Sequence, residues 1–160
     1  MEPKISVEPF RTVRQTLKVA EFYDILVFDG PQHSMAGTLE IARASVLVIL
    51  PTGLSLDDLR PSIMLAHEMV ENSIQAKKIV FALCRVGDRE NEIEGARRYI
   101  QKARYDILKG SLPEKTGYRR ASDDGRAVSE TTYPTLKERA EEIAQSIIDR
   151  ISKSEKQEVV

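Results

Sequence analysis

One cysteine, Cys84, occurs in 160 residues, which excludes an internal disulfide and any cysteine-rich metal site. Its setting, KKIVFALC, reads as a buried structural thiol. No apolar run approaches the roughly 18 residues needed to cross a bilayer, so no membrane partner is expected. The amino terminus, MEPKISVEPF, lacks the apolar stretch of a secretory signal, and a cytoplasmic location is the expectation. Charge of one sign is also missing. The 24 Lys and Arg against 25 Asp and Glu leave a net −1, so nucleic acid could be held only by a local basic face. The two histidines, His33 and His67, form no zinc pattern, and no G-x-S-x-G elbow supports nucleophilic catalysis. The most consequential absence is a phosphate loop. The chain has no G-x-x-x-x-G-K-[ST] and no Gly followed by Lys, so no loop of that kind can cradle phosphates with its amides and lysine.

What is present is alternation. Apolar runs at Ile5 to Val7, Ile25 to Phe28, Val46 to Leu50 and Ile79 to Leu83 are short and rich in β-branched residues, with helical-period segments between them. Strand then helix, repeated, predicts an α/β fold with a mostly parallel sheet, and the unbroken apolar character of ILVF, VLVIL and IVFAL predicts helices on both faces. Length and composition fit one domain, residues 1–153, ending in a frayed tail, 154–160. Ser55 and Asp58 suggest a capping box, followed by an apolar face of Leu56, Leu59, Ile63, Ala66, Val70 and Ile74. Pro61 is expected to kink that helix or to start it. Pro134 opens a last helix with a stripe of Leu136, Ala140, Ile143, Ala144, Ile147, Ile148 and Ile151.

The segment Tyr23 to Pro31, YDILVFDGP, carries most of the chemistry. An apolar strand ending in Asp29 would deliver a carboxylate to the carboxyl end of a sheet, where it can organise Mg²⁺ against phosphates. The alternative is a strand-end aspartate that caps the Gly30 turn. Asp24, at the other end of the run, reads as a solvated or capping residue, and His33 as a loop histidine. Arg97, Arg98, Lys102 and Arg104 on one helix, with Arg119 and Arg120 just before another, could form a phosphate-contacting stripe. Glu90, Glu92 and Glu94 in the same region make a solvated mixed-charge face the competing reading.

Taken in order, YDILVFDGP, ASVLVILP, ALCRVGDR and DILKGSLPEKTGYRRASDDGRAVSE resemble the carboxyl-terminal two thirds of the ParA family of plasmid and chromosome partition ATPases. The resemblance runs from about Ile5 to Ile151. It implies a P-loop NTPase-like sheet that is incomplete, because the family's first strand, P-loop and signature lysines precede the matched part. YDILVFDGP would be the Walker B strand, Ser34 to Thr38 the switch segment with Gly37 as its pivot, and Ala121 to Gly125 a small-residue spacing on a helix. By the same resemblance Asp29 would be the catalytic and Mg²⁺-organising acid, and Asp29, Arg85 and Pro113 the contacts to ATP. Arg97, Arg98, Lys102, Arg119 and Arg120 would hold DNA without sequence preference. Gly30, Gln32, His33, Cys84 and Arg85 depart from the family pattern. The implied function is partition without autonomous ATPase activity, with a homodimer, an adaptor protein or a P-loop-bearing second chain as partner. A non-enzymatic interaction module derived from such an ATPase is the alternative.

Overall fold

The run IVFALCRV builds the strand on which the rest of the sheet is assembled. In the computed structural model, which describes residues 7–9, 11–30 and 35–158, this strand, β2, spans Ile79–Val86 and is buried along nearly its whole length. β1, Val48–Thr52, lies parallel to it on one side, pairing Val48 with Ile79 through to Thr52 with Leu83. On the other side lie β3, Asp106–Ile107, and β4, Leu112–Pro113, both also parallel to β2. The fold is therefore α/β with a parallel sheet, as the alternation predicts.

Period-2 alternation along β2 sends successive side chains to opposite faces. Val80 and Ala82 gather with Leu108, and Leu47, Ile49, Cys84 and Ile147 pack against them. Ile147 belongs to α6, Pro134–Glu158, which therefore covers this face. Phe81 points to the opposite face, where it meets Tyr105 at a ring-centroid distance of 5.6 Å. That face is covered by α3, Leu56–Glu71, and α4, Glu90–Lys102, which touch each other and the strands.

The helices start and stop for local reasons. Ser55 is the N-cap of α3: its Oγ accepts from the Asp58 amide at 3.2 Å and donates to the Asp58 carboxylate at 2.8 Å. This cap starts the helix at Leu56, and Pro61 lies inside it without breaking it. Pro61 and Asp57 are both exposed, so the carbonyl that loses its amide partner can be hydrated. The buried face of α3 is Leu59, Ile63, Ala66 and Met69, whereas Leu56 and Val70 are largely exposed. Ile74 reaches the core from outside the helix. Ser73 adopts φ 71, and the bonds Ser73 N–H to Val70 O and Ile74 N–H to Met69 O form a Schellman closure that turns Ile74 inward. Arg104, φ 66, ends α4 in the same way and turns Tyr105 inward.

Ala121 and Gly125 take part in a third such closure, so their spacing is not a small-residue stripe. α5 spans Thr116–Asp123, Gly125 follows its end at φ 68, and Arg126 N–H returns to Ala121 O at 2.9 Å. In α6 the expected stripe narrows: Ala140 and Ile143 are buried, while Ala144 and Ile148 face out. The helix continues to Glu158, past the point where fraying is expected. The segment SKSEKQE contains no Gly or Pro, and Ser154 Oγ donates back to the Arg150 carbonyl at 3.1 Å, so nothing local stops the helix.

The chain divides into two units, Met1–Ser45 and Val46–Val160, and the sheet belongs to the second. The first holds α1, Val13–Leu17, and α2, Met35–Ala44. Here the sequence reading needs correction. Residues 25–30 have no regular secondary structure, with Ile25 58% and Val27 84% exposed. Val7, the described end of the first expected strand, is also irregular. An apolar run becomes a strand only where a neighbour supplies ladder bonds, and the described residues of this unit contain no other strand. Met35 to Thr38, expected in a switch loop, form the first turn of α2. Pro31 to Ser34, including Gln32 and His33, lie outside the described residues.

Candidate functional site at the carboxyl end of the sheet

Ligands of open parallel sheets bind where the strands end, and here that rim is built by an irregularity in β2. Against β4, Cys84 pairs with Leu112 and Val86 with Pro113, so two steps along β2 match one step along β4. The extra residue is Arg85, at φ 55. This is a β-bulge with its bulged residue in the left-handed region, a conformation that a non-glycine residue adopts at a cost. The bulge leaves the Arg85 side chain 71% exposed at the rim. Pro113, buried, sits across from Val86. Two of the three positions assigned to nucleotide are thereby neighbours at the end of the sheet.

The rim is polar and internally paired. Asp58, in the first turn of α3, lies 3.9 Å from the Arg85 guanidinium. Gly53, after β1, admits that carboxylate closely: a Cβ there would collide with it, and its Cγ would be 3.0 Å away. In the loop after β2, Asp88 accepts from Lys115 Nζ at 2.7 Å, joining that loop to the start of α5. The hydrogen bond from Lys115, and then its charge, hold the Asp88 carboxyl below the ordinary range. Arg89 pairs with Glu92 at 3.3 Å. Cys84, beneath the bulge, is half-buried, and burial pushes its thiol up while the neighbouring Arg85 charge opposes the shift. It packs against the Val80, Ala82 and Leu108 cluster, half-buried where its sequence setting predicts full burial.

Asp29 is an exposed residue of the irregular segment in the first unit. Among the described residues no group of three or more His, Cys, Asp or Glu side chains is placed to hold a metal ion. The described residues therefore form no Mg²⁺ cage of their own. His67 donates to or accepts from Tyr105 Oη through Nδ1 at 2.8 Å, which gives it a structural partner.

The basic residues separate into two kinds. Arg97 is only 21% exposed, and its guanidinium donates to the carbonyls of Leu108 at 3.1 Å and Gly110 at 2.6 Å. It ties α4 to the break between β3 and β4. Arg98 and Lys102 on α4, and Arg119 and Arg120 on α5, are exposed. α4 packs on β2, β3 and α3, whereas α5 packs on the turn Val128–Glu130, so the two pairs occupy separate helices. Sequence reasoning missed the Arg85–Asp58 and Asp88–Lys115 pairs. The loop VGDR after an apolar strand was the available signal; the pairing itself depends on the bulge. No helix among the described residues is long and apolar enough to cross a membrane. Neither protein-family models nor curated proteins give a match to the chain.

Proposed function

We propose that this chain is a ParA-like partition protein that takes part in plasmid or chromosome segregation by binding, and that it does not turn over ATP by itself. The observation that carries this reading is the rim itself: the bulge places Arg85 beside Pro113 at the carboxyl end of a parallel sheet, where the resemblance puts the nucleotide base. The chain contains no P-loop lysine, and such a cation carries much of the transition-state charge of phosphoryl transfer. Asp29 would supply the Mg²⁺-organising carboxylate if nucleotide binds. A second reading, a non-enzymatic interaction module, is favoured by the exposure of Asp29 outside any strand.

Calorimetric titration of MgATP into the full chain, with a parallel phosphate-release assay, separates these readings. The partition reading expects measurable binding that Arg85→Ala or Asp29→Ala weakens, with hydrolysis at background. Absence of binding would leave the interaction module. Turnover that Asp29→Ala abolishes would overturn the claim that catalysis is lost.

A further inference from the structure

The opposite end of the sheet holds a cleft that the partition reading does not use. The turn Ala76–Lys78 leads into β2, Asp106 begins β3, and α6 passes alongside. Lys77, Lys78, Asp106, Arg150, Lys153 and Ser154 line one cleft of about 210 Å³. Among the described residues that line it, Lys77, Arg150 and Lys153 face the single carboxylate of Asp106, a local excess of positive charge in a chain whose net charge is −1. Like charges gathered around a concave surface repel one another at some cost to the fold. A bound anion of several charges removes that cost.

The cleft is also partly organised. Arg150 Nη2 donates to the Asp106 carboxylate and, at 3.4 Å, to the Lys77 carbonyl. The Arg150 side chain is 26% exposed against 62% for Asp106, so the guanidinium is held in place while its other N–H donors remain to be used. Among the described residues neither the Lys77 nor the Lys153 ammonium makes an ion pair. Ser154, one turn after Arg150, lines the cleft but donates its hydroxyl proton to the Arg150 carbonyl. A fixed planar guanidinium flanked by the ammonium groups of exposed Lys77 and Lys153 matches the geometry and charge of phosphate better than that of a single carboxylate.

We infer that this cleft binds a phosphate-bearing anion, through Arg150 as the oriented donor and Lys77 and Lys153 as charge. The inference is independent of the rim and of the partition reading. The test is calorimetric titration of inorganic pyrophosphate into the full chain at low salt. Binding is expected, and the double variant Lys77→Ala, Lys153→Ala should weaken it about tenfold or more, the equivalent of one charged hydrogen bond. Asp106→Asn should tighten binding, because it removes the one opposing charge among the described residues that line the cleft; a merely structural role for the ion pair would not produce that gain. Thermal melts accompany each variant, and the lysine pair decides the matter if Asp106→Asn fails to fold. No binding at millimolar pyrophosphate, or equal binding by the folded double variant, overturns the inference. With binding established, displacement of pyrophosphate by a short DNA duplex assigns the site to polymer phosphates, and failure to displace assigns it to a small phosphate compound.

Discussion

Ser73 and Arg104 occupy the left-handed position that closes a helix, where glycine is the usual residue. Each pays the Cβ penalty of that conformation, and among the described residues neither side chain has a hydrogen-bond partner that would account for the choice. Arg104→Gly should therefore stabilise the fold by about 1 kcal/mol, read as a higher urea midpoint with an unchanged slope. An unchanged or lower midpoint would show that the Arg104 side chain contributes more than its backbone strain costs. Asp88 poses a question of charge at the same scale. Its folded value is depressed below the ordinary 3.8, first by the Lys115 hydrogen bond and then by the Lys115 charge. The stabilisation from this pair is fully present above the unfolded value and is lost as pH falls through the lower folded value. An NMR titration of the Asp88 carboxyl carbon should show a midpoint below the ordinary value, and Lys115→Ala should return it there. A midpoint that the variant leaves unmoved would mean that the contact is absent in solution.

At the scale of elements, Arg97 and Arg98 are adjacent in sequence and opposite in duty. Arg97 holds two carbonyls of the segment between β3 and β4, while Arg98 faces solvent. Removing a charged donor from two partly buried acceptors costs roughly 2–3 kcal/mol, whereas exposed substitutions stay within about 0.5 kcal/mol. Denaturant melts of Arg97→Ala and Arg98→Ala should reproduce that contrast; equal stabilities would remove Arg97 from the structural frame. Sequence alone could not separate the two arginines, because the distinction rests on carbonyls eleven and thirteen residues away. What it did make legible were the elements whose signals are local or fully redundant: β2, from its unbroken apolar run; the Ser55 cap; and the Pro134 start of α6. A helix start at Pro61 and an Ala121 to Gly125 spacing within one helix were misread: α3 starts at Leu56, and Gly125 lies just past the end of α5. In both cases a hydrogen bond that starts or closes a helix was the deciding fact. Ile25 to Phe28 shows the limit most clearly, since identical apolar patterning makes a strand at Ile79 to Leu83 and leaves an exposed irregular segment where no ladder forms.

For the whole molecule, a net charge of −1 leaves DNA binding to local geometry. Arg98 and Lys102 lie four residues apart on α4, and Arg119 and Arg120 are adjacent on α5. A stripe that neutralises phosphates releases counterions, so the logarithm of the affinity should fall with the logarithm of salt concentration by about 0.9 for each contact. Replacing all four with alanine should flatten that slope by up to about four such steps, with little change in stability because the side chains are exposed. Arg97 should not contribute to the slope, since its guanidinium is committed to the protein's own carbonyls. The measurement is fluorescence anisotropy of a labelled random-sequence duplex across a salt series, with the Lys77→Ala, Lys153→Ala variant beside it. A slope that the four-alanine variant leaves unchanged, but that the cleft variant flattens, would move the nucleic-acid face from the helices α4 and α5 to the amino end of the sheet. A slope near zero for the unaltered chain would remove DNA from its partners and leave protein surfaces as the means by which it acts.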